Sequence, residues 1–437
     1  MQHNDESPAL QASTNKPLVK GSITAALILL LLIPTWFISG LVNERQARQA
    51  EVVNDVCSKW ALAQTVTGPY IYLPYRGAEK DAVKHLWLLP DDLTVTGSVQ
   101  AEQRPRSIYK VLLYRTGLTA KGNFAIVLPK DVDPSSLLLN EAKICVGISD
   151  FKGIEKQVDL RFNGKAYNLL PGLPASDIDS SGLSASIDLS PADFGRQLLF
   201  DLPLQLKGSQ QLHFVPLAGN SRFQLQSAWP NPSFDGTSIP AERKITNAGF
   251  AAEWVFNKAN LPFTTLVRPG GISKAGLRFG VSMLQPADQY AKTTRSVKYA
   301  ILIIGLTFSL FFIIELMQKK PMHPVQYVLI GLALVIFYTL LLSISEFILF
   351  DYAYLVAAAA TIILISFYAK AHFRSWKTAG IFASLLTGLY GFIFVLIRLE
   401  DTALLIGSIG LFLILALVMY ASRKINWYPS PQPSTVA

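Results

Sequence analysis

Six long apolar stretches constrain this chain of 437 residues more than any other feature of its sequence. Crossing a hydrocarbon core about 30 Å thick takes roughly 20 apolar residues in a helix. A backbone inside lipid must also satisfy its own hydrogen bonds, so each stretch is predicted to be a transmembrane helix. One stretch lies near the start and five lie in the last third; the predicted spans are residues 21–42, 299–317, 325–343, 348–369, 378–397 and 402–421.

Basic residues beside these spans predict their orientation, because the cytoplasmic flanks of membrane helices carry an excess of Lys and Arg. Lys16 and Lys20 precede the first span, which predicts a cytoplasmic tail over residues 1–20 and an outer segment over residues 43–298. The later flanks on the inner side, including the tail over residues 422–437, carry only basic charge: Lys319, Lys320, Lys370, Arg374, Lys377, Arg423 and Lys424. Both termini are therefore predicted to be cytoplasmic.

The composition agrees with a membrane protein and argues against a nucleic-acid partner. Apolar residues make up 51% of the chain and charged residues only 16%. The net charge is +9, but nine of the basic residues flank the spans on the predicted inner side, where they set the orientation. The partner that the sequence predicts is the lipid bilayer, and it does not predict an oligomeric state.

The outer segment is predicted to begin with a helix that continues from the first span over residues 43–67. This stretch contains neither Pro nor Gly, and Val52, Val56, Trp60 and Ala63 recur in it at helical spacing. We expect that apolar stripe to pack on the rest of the outer domain.

After this helix, short runs of β-branched and aromatic residues recur at spacings of about 8–15 residues. One of them, residues 158–162, alternates apolar and polar side chains and leads into Asn163-Gly164, the dipeptide most typical of a tight hairpin. This pattern favours an antiparallel, sandwich-like domain, either one large sandwich or two stacked lobes. The predicted fold is an α plus β membrane protein: one N-terminal transmembrane helix, the β-rich outer domain, and a C-terminal bundle of five transmembrane helices over residues 299–421.

Both cysteines, Cys57 and Cys145, fall in the outer segment, where an oxidising compartment permits a disulfide. A bridge between them would fasten the helix to a strand. The alternative is that one or both are small, buried apolar side chains. The sequence leaves the two interpretations open.

Motifs for catalysis, cofactors or metals are absent from the sequence. It has no phosphate-binding loop, zinc signature or nucleophile elbow, and its five histidines are scattered. No catalytic residue, cofactor or metal site is predicted. Ionisable residues at the edges of the spans remain the default candidates for a site among the helices, because burying charge in lipid is costly. With their polar neighbours, these candidates are Glu315, His323, Tyr327, Ser345, Glu346 and Asp351.

Several longer motifs occur in both the outer segment and the membrane spans. They include Trp229-Pro230-Asn231-Pro232-Ser233-Phe234-Asp235-Gly236, Gly249-Phe250-Ala251-Ala252-Glu253-Trp254, Thr294-Arg295-Ser296-Val297-Lys298-Tyr299-Ala300 and His323-Pro324-Val325-Gln326-Tyr327. In these motifs the chain resembles the CreD family of bacterial inner-membrane proteins, and the likeness covers nearly the whole chain.

The resemblance implies a bacterial inner-membrane protein that contributes to cell-envelope integrity and tolerance of envelope stress, controlled in some bacteria by a two-component system. It brings no catalytic residues with it. The leading hypothesis is a non-enzymatic protein whose periplasmic β-rich domain binds an envelope component. The alternative is a membrane enzyme or small-molecule transporter with a polar site in the C-terminal helix bundle.

Overall fold

The computed structural model describes residues 16–77, 83–128, 132–272, 274–283, 289–318, 320–399 and 402–423. It divides into two compact units. The membrane unit comprises Met1–Arg48 and Ala287–Ala437, and the β domain comprises Gln49–Pro286.

Helices make up the described part of the membrane unit. They are α1 (Lys16–Trp60, whose last turns belong to the β domain), α2 (Gln289–Lys298), α3 (Ala300–Gln318), α4 (Pro324–Ser345), α5 (Phe350–Phe373), α6 (Trp376–Arg398) and α7 (Ala403–Ser422). Six of these described helices are long and apolar enough to cross a membrane, and they coincide with the six predicted spans. The predicted α plus β membrane fold is therefore confirmed.

Close helix packing and aromatic contacts hold the membrane unit together. Gly331 of α4 lets α1 approach closely, because a Cβ at this position would lie 2.1 Å from a side-chain methyl of Leu31. Small residues are favoured at such crossings, since helices in lipid associate mainly by packing. Rings of α4, α5 and α6 meet around Phe337, whose centroid lies 5.5 Å from that of Tyr354 and 4.8 Å from that of Tyr390.

Helix α2 was not predicted, and its residues 289–298 were expected to belong to the outer domain. The structure groups them with the membrane helices, and α2 packs on α3, α4 and α6. Its buried side consists of Tyr290, Thr293, Ser296 and Val297. The helix has too few apolar residues to be recognised as a span, because it lies at the end of the bundle and does not cross it.

The β domain consists of sixteen strands within the described residues. They are β1 (Gln64–Arg76), β2 (Val83–Leu88), β3 (Asp92–Arg106), β4 (Tyr109–Ala125), β5 (Lys143–Ile148), β6 (Val158–Phe162), β7 (Lys165–Pro171), β8 (Gly182–Ser186), β9 (Gln197–Ser209), β10 (Gln211–Val215), β11 (Asn220–Ser227), β12 (Pro232–Gly236), β13 (Glu242–Thr246), β14 (Gly249–Phe256), β15 (Leu266–Val267) and β16 (Phe279–Met283).

These strands pair in the order β12-β16-β10-β1-β5-β8-β7-β6-β9-β4-β3-β11-β14-β13, with β2 beside β1 and β15 beside β2. The described pairs are antiparallel except β1 with β10 and β3 with β11, which are parallel. The short contact between β7 and β8 joins two sections of sheet. The hairpin predicted at Asn163-Gly164 is confirmed between β6 and β7, and both residues have the positive φ that its tight turn requires.

The two sections enclose one hydrophobic core, which favours the single sandwich over two stacked lobes. Phe279 of β16 lies at its centre with no exposed surface. Across the core its ring centroid lies 4.9 Å from that of Phe223, 5.4 Å from that of Trp254 and 4.8 Å from that of Phe256. Because β16 and these partners belong to different sections, the contacts hold the sandwich closed.

One detail of the predicted outer segment is corrected, namely the end of its helix. The helix ends at Trp60, and the last residues of the predicted 43–67 segment start β1. The cysteines are not bonded to each other. Cys57 of α1 packs with Val111 of β4, and Cys145 lies in a separate apolar cluster. The structure therefore corresponds to the alternative in which both are buried apolar side chains.

Candidate functional site

The six residues singled out in the membrane spans divide between the two ends of α4. Glu315, His323 and Tyr327 lie around its first turns, whereas the others lie at or beyond its last residue. Helix α4 has 22 residues and is therefore about 33 Å long at 1.5 Å per residue. The structure does not bring the six candidates together into one site.

Glu315 connects α3 to the start of α4. Its side chain is only 4% exposed. Its carboxylate accepts hydrogen bonds from the Tyr327 hydroxyl at 2.9 Å and from the Met322 backbone N–H at 3.1 Å. A buried carboxylate is stable only when such donors satisfy it. These contacts give Glu315 a structural role in fixing the turn between the two helices.

His323 and its neighbours cap helix ends. The backbone N–H of His323 donates to the Gln326 side chain at 2.9 Å, and its Nδ1 accepts from the Val325 N–H, which together cap α4. Lys320 donates to the carbonyl of Phe373 at 2.5 Å, at the last turn of α5. A cation at a helix C-terminus stabilises the exposed carbonyls there. This end of the unit is thus organised by caps.

At the other end of α4, Glu346 is the centre of a small polar network. Its side chain is 10% exposed, accepts from the Tyr290 hydroxyl at 3.1 Å and lies 3.8 Å from Nε of Arg45. Ser345 donates to the carbonyl of Leu342 in its own helix, a bond that satisfies the hydroxyl locally. Asp351 forms an ion pair with Arg398 at the end of α6. Each candidate acid therefore has a partner that ties two helices together.

The β domain carries a polar groove that the sequence did not reveal. It runs across the outer face of β4, β3, β11, β14 and β13 and has a volume of about 620 Å³. The pairing register places Gly117 opposite Ser98, Ser98 opposite Gln226, Gln226 opposite Ala251, and Ala251 opposite Lys244. These five residues line up across four strand pairs and form the floor, which is lowest at the short residues Gly117, Ser98 and Ala251.

A second row of side chains, two residues further along the same strands and therefore on the same face, forms one wall of the groove. Thr119, Thr96, Gln224, Glu253 and Glu242 face one another in register. Glu253 is held in place by Gln224 at 2.9 Å. Together the floor and this wall present amide, hydroxyl and charged groups and no aromatic ring. The arrangement suits a polar, hydrogen-bonding ligand.

An acidic residue in the loop before β8 forms a separate polar centre inside the β domain. Asp179 is buried, accepts from the Tyr70 hydroxyl at 2.9 Å and pairs with Lys274. Burial raises the pKa of Tyr70 well above its usual range. Gly147 leaves room for the carboxylate, since a Cβ there would lie 2.3 Å from it. The centre is enclosed by its own partners, which indicates a structural role.

No group of three His, Cys, Asp or Glu residues in the described parts of the chain is arranged to hold a metal ion. The polar groove of the β domain is the candidate binding surface, on the strength of its own lining. In the sequence, the groove corresponds to uncharged polar residues at alternate positions of β3 and β11. Any strand face that is exposed to solvent has the same pattern, so the pattern alone does not indicate a binding site.

Comparison with known proteins identifies the family. The model of the family described as inner membrane protein CreD matches residues 16–428. The inner membrane protein CreD of Escherichia coli (strain K12) is 33% identical over 426 residues, covering 94% of this chain and 93% of its own.

Among solved structures, an M1 zinc metallopeptidase mutant from Deinococcus radiodurans with a bound substrate aligns with this chain. It covers 79% of this chain and 96% of its own with 9% identity and a TM-score of 0.21, which is too low to indicate a shared fold. The family match and the six apolar helices agree on a multi-pass protein in contact with the lipid bilayer. The chain belongs to the CreD family of inner membrane proteins.

Proposed function

We propose that this protein is a non-enzymatic component of the inner membrane that contributes to cell-envelope integrity or stress tolerance. In this proposal the β domain lies in the periplasm and binds an envelope component in the polar groove. The observation that supports the proposal is the row from Gly117 to Lys244, which forms the floor of an open polar groove on a large folded domain. Family membership supports the membrane location.

The distribution of basic residues supports the periplasmic side. Lys320 lies in the turn between α3 and α4, Arg374 lies in the turn between α5 and α6, and Arg423 follows α7. All three fall on the side that the positive-inside rule assigns to the cytoplasm. The connections that follow α1, α4 and α6 then lie on the periplasmic side. Because the β domain is the connection that follows α1, the whole domain lies on that side.

The side chains that line the groove favour a ligand rich in hydroxyl and amide groups. Its floor and wall combine neutral donors and acceptors from Gln224, Gln226, Thr96 and Ser98 with the charges of β13. An adjoining hollow of about 650 Å³ shares Ser98, Gln226 and Lys244. A pair of joined hollows suits an extended polar chain better than a compact metabolite.

A side chain that fills the groove tests this proposal. Gly117→Trp is expected to abolish the envelope function, because the indole would occupy the floor, while folding is retained: a Cβ at Gly117 meets nothing within 4 Å. The measurement is growth of a strain lacking the protein, complemented with each variant, in an envelope-perturbing detergent. Protein amount in the membrane is measured in parallel.

Thr94→Trp is the matched control for this experiment. Thr94 is exposed on the same face of β3 but does not line the groove. The control is expected to complement as well as the unmodified protein. Full complementation by Gly117→Trp at normal protein levels would refute groove binding.

The membrane enzyme or transporter has weaker support. Its candidate residues lie at opposite ends of α4, and the contacts of Glu315 and Glu346 described above hold helices together. A transport or catalytic site would need such groups to converge on one ligand.

A further inference from the structure

Three cationic side chains converge on a single indole ring in the β domain. Trp60, the last residue of α1, is half-buried. The Cζ atoms of Arg104 and Arg115 lie 4.3 Å and 5.0 Å from its ring centroid, and Nζ of Lys207 lies 4.7 Å from it. These distances allow cation–π attraction, which explains how the cations are held but not why three of them are gathered here.

The strand register places these positive charges close enough to repel one another when no ligand is bound. Arg115 of β4 lies directly opposite Lys207 of β9. Like charges in directly opposed positions of neighbouring strands destabilise a sheet. Arg104 extends from β3, the strand on the other side of β4, so three adjacent strands each contribute one positive charge. A structural role alone would be served better by a neutral residue at position 207.

Nearby carboxylates compensate two of the three charges. Glu102 accepts from Arg104 at 2.6 Å, and Glu155 accepts from Arg115 at 2.8 Å. Within the described part of the chain, Lys207 has the indole ring but no carboxylate as a partner. One positive charge is thus left for a ligand.

We propose that Trp60, Arg104, Arg115 and Lys207 form a binding site for a phosphate group. Guanidinium groups bind phosphate oxygens through two parallel N–H donors, and a lysine adds a point charge. The uncompensated positive charge of Lys207 complements the negative charge that inorganic phosphate and a phosphodiester headgroup both carry. The group is either a free phosphate or the headgroup of an anionic phospholipid. This site shares no residue with the groove, so either proposal can fail without the other.

Titration of the purified full-length chain tests the phosphate site. The chain is placed in phosphatidylcholine nanodiscs and titrated by calorimetry with inorganic phosphate in one arm and with water-soluble dihexanoyl-phosphatidylglycerol in the other. We expect saturable binding that weakens as salt is raised. Lys207→Gln is expected to weaken it about tenfold, the usual scale for losing one charge-assisted hydrogen bond. The arm with the tighter binding identifies the source of the phosphate.

A matched control and a stability measurement separate binding from folding. Lys121→Gln removes an exposed lysine of β4 that pairs with Asp201 of β9 at 3.1 Å, and binding should change by less than about twofold. Because Lys207→Gln removes a like-charge contact, its unfolding temperature should stay the same or rise. No binding in either arm, or equal binding by Lys207→Gln and Lys121→Gln, would overturn the proposal.

Discussion

Replacing Phe279 with alanine is expected to lower the free energy of unfolding of the β domain by about 3–5 kcal/mol. The ring is fully buried, and its partners Phe223, Trp254 and Phe256 belong to the other section of the sandwich. The substitution therefore removes a large apolar side chain and leaves a cavity between the two sections. Chemical denaturation of the purified full-length protein, followed by near-ultraviolet circular dichroism, measures the loss.

Leu199→Ala is the control for this prediction, because Leu199 is 63% exposed on β9. A surface truncation of this kind should change the free energy of unfolding by no more than about 0.5 kcal/mol. If Phe279→Ala cost no more than the control, the two sections of sheet would not share the core described above.

Replacing Glu315 with alanine is expected to destabilise the membrane unit by about 2–3 kcal/mol, since two buried donors lose a charged acceptor. Those donors are the hydroxyl of Tyr327 and the backbone N–H of Met322. Glu315→Gln keeps an acceptor oxygen and should cost less. Stability is measured by denaturation in increasing dodecyl sulfate, together with the amount of protein recovered from membranes.

The same variants separate the two functional hypotheses. If Glu315 is structural, Glu315→Ala lowers the amount of folded protein. The tolerance of envelope stress, divided by the amount of folded protein, is then unchanged. If the alternative hypothesis of an enzyme or transporter is correct, Glu315→Ala removes the activity without lowering the amount. Glu44→Ala, at an exposed acid on α1, serves as the control and should change neither quantity.

The membrane spans could be predicted from the sequence because each is a continuous apolar run whose ends are marked by polar residues. All six predicted spans lie within a few residues of the observed helices. Helix α2 was not found, because its buried side includes the polar residues Thr293 and Ser296 and gives little apolar signal. The local sequence pattern thus predicts helices that are buried in lipid, but it does not predict a short helix that packs at the end of the bundle.

Prediction of the β domain from the sequence is limited in a similar way. Strand positions such as Val158–Phe162 follow from alternation, which is local. The parallel pairing of β3 with β11 joins residues more than a hundred positions apart, and no local pattern encodes it. The groove depends on that register, since it brings Ser98 beside Gln226. The candidate site could therefore be located only once the sheet was assembled.

The side of the membrane on which the β domain lies is the claim that the proposed function depends on most. The native cysteines are poor reporters of sidedness: both are buried, and burial raises the pKa of Cys145 to about 12. A reporter cysteine is better introduced as Leu199→Cys in a chain whose Cys57 and Cys145 have been replaced by alanine. Lys377→Cys, on the predicted inner side and exposed, is the control.

Labelling with a membrane-impermeant maleimide, in cells whose outer membrane alone has been permeabilised, tests this claim most directly. We expect the Leu199→Cys variant to be labelled at once and the Lys377→Cys variant only after the inner membrane is broken. The reverse pattern would place the groove in the cytoplasm and contradict the account.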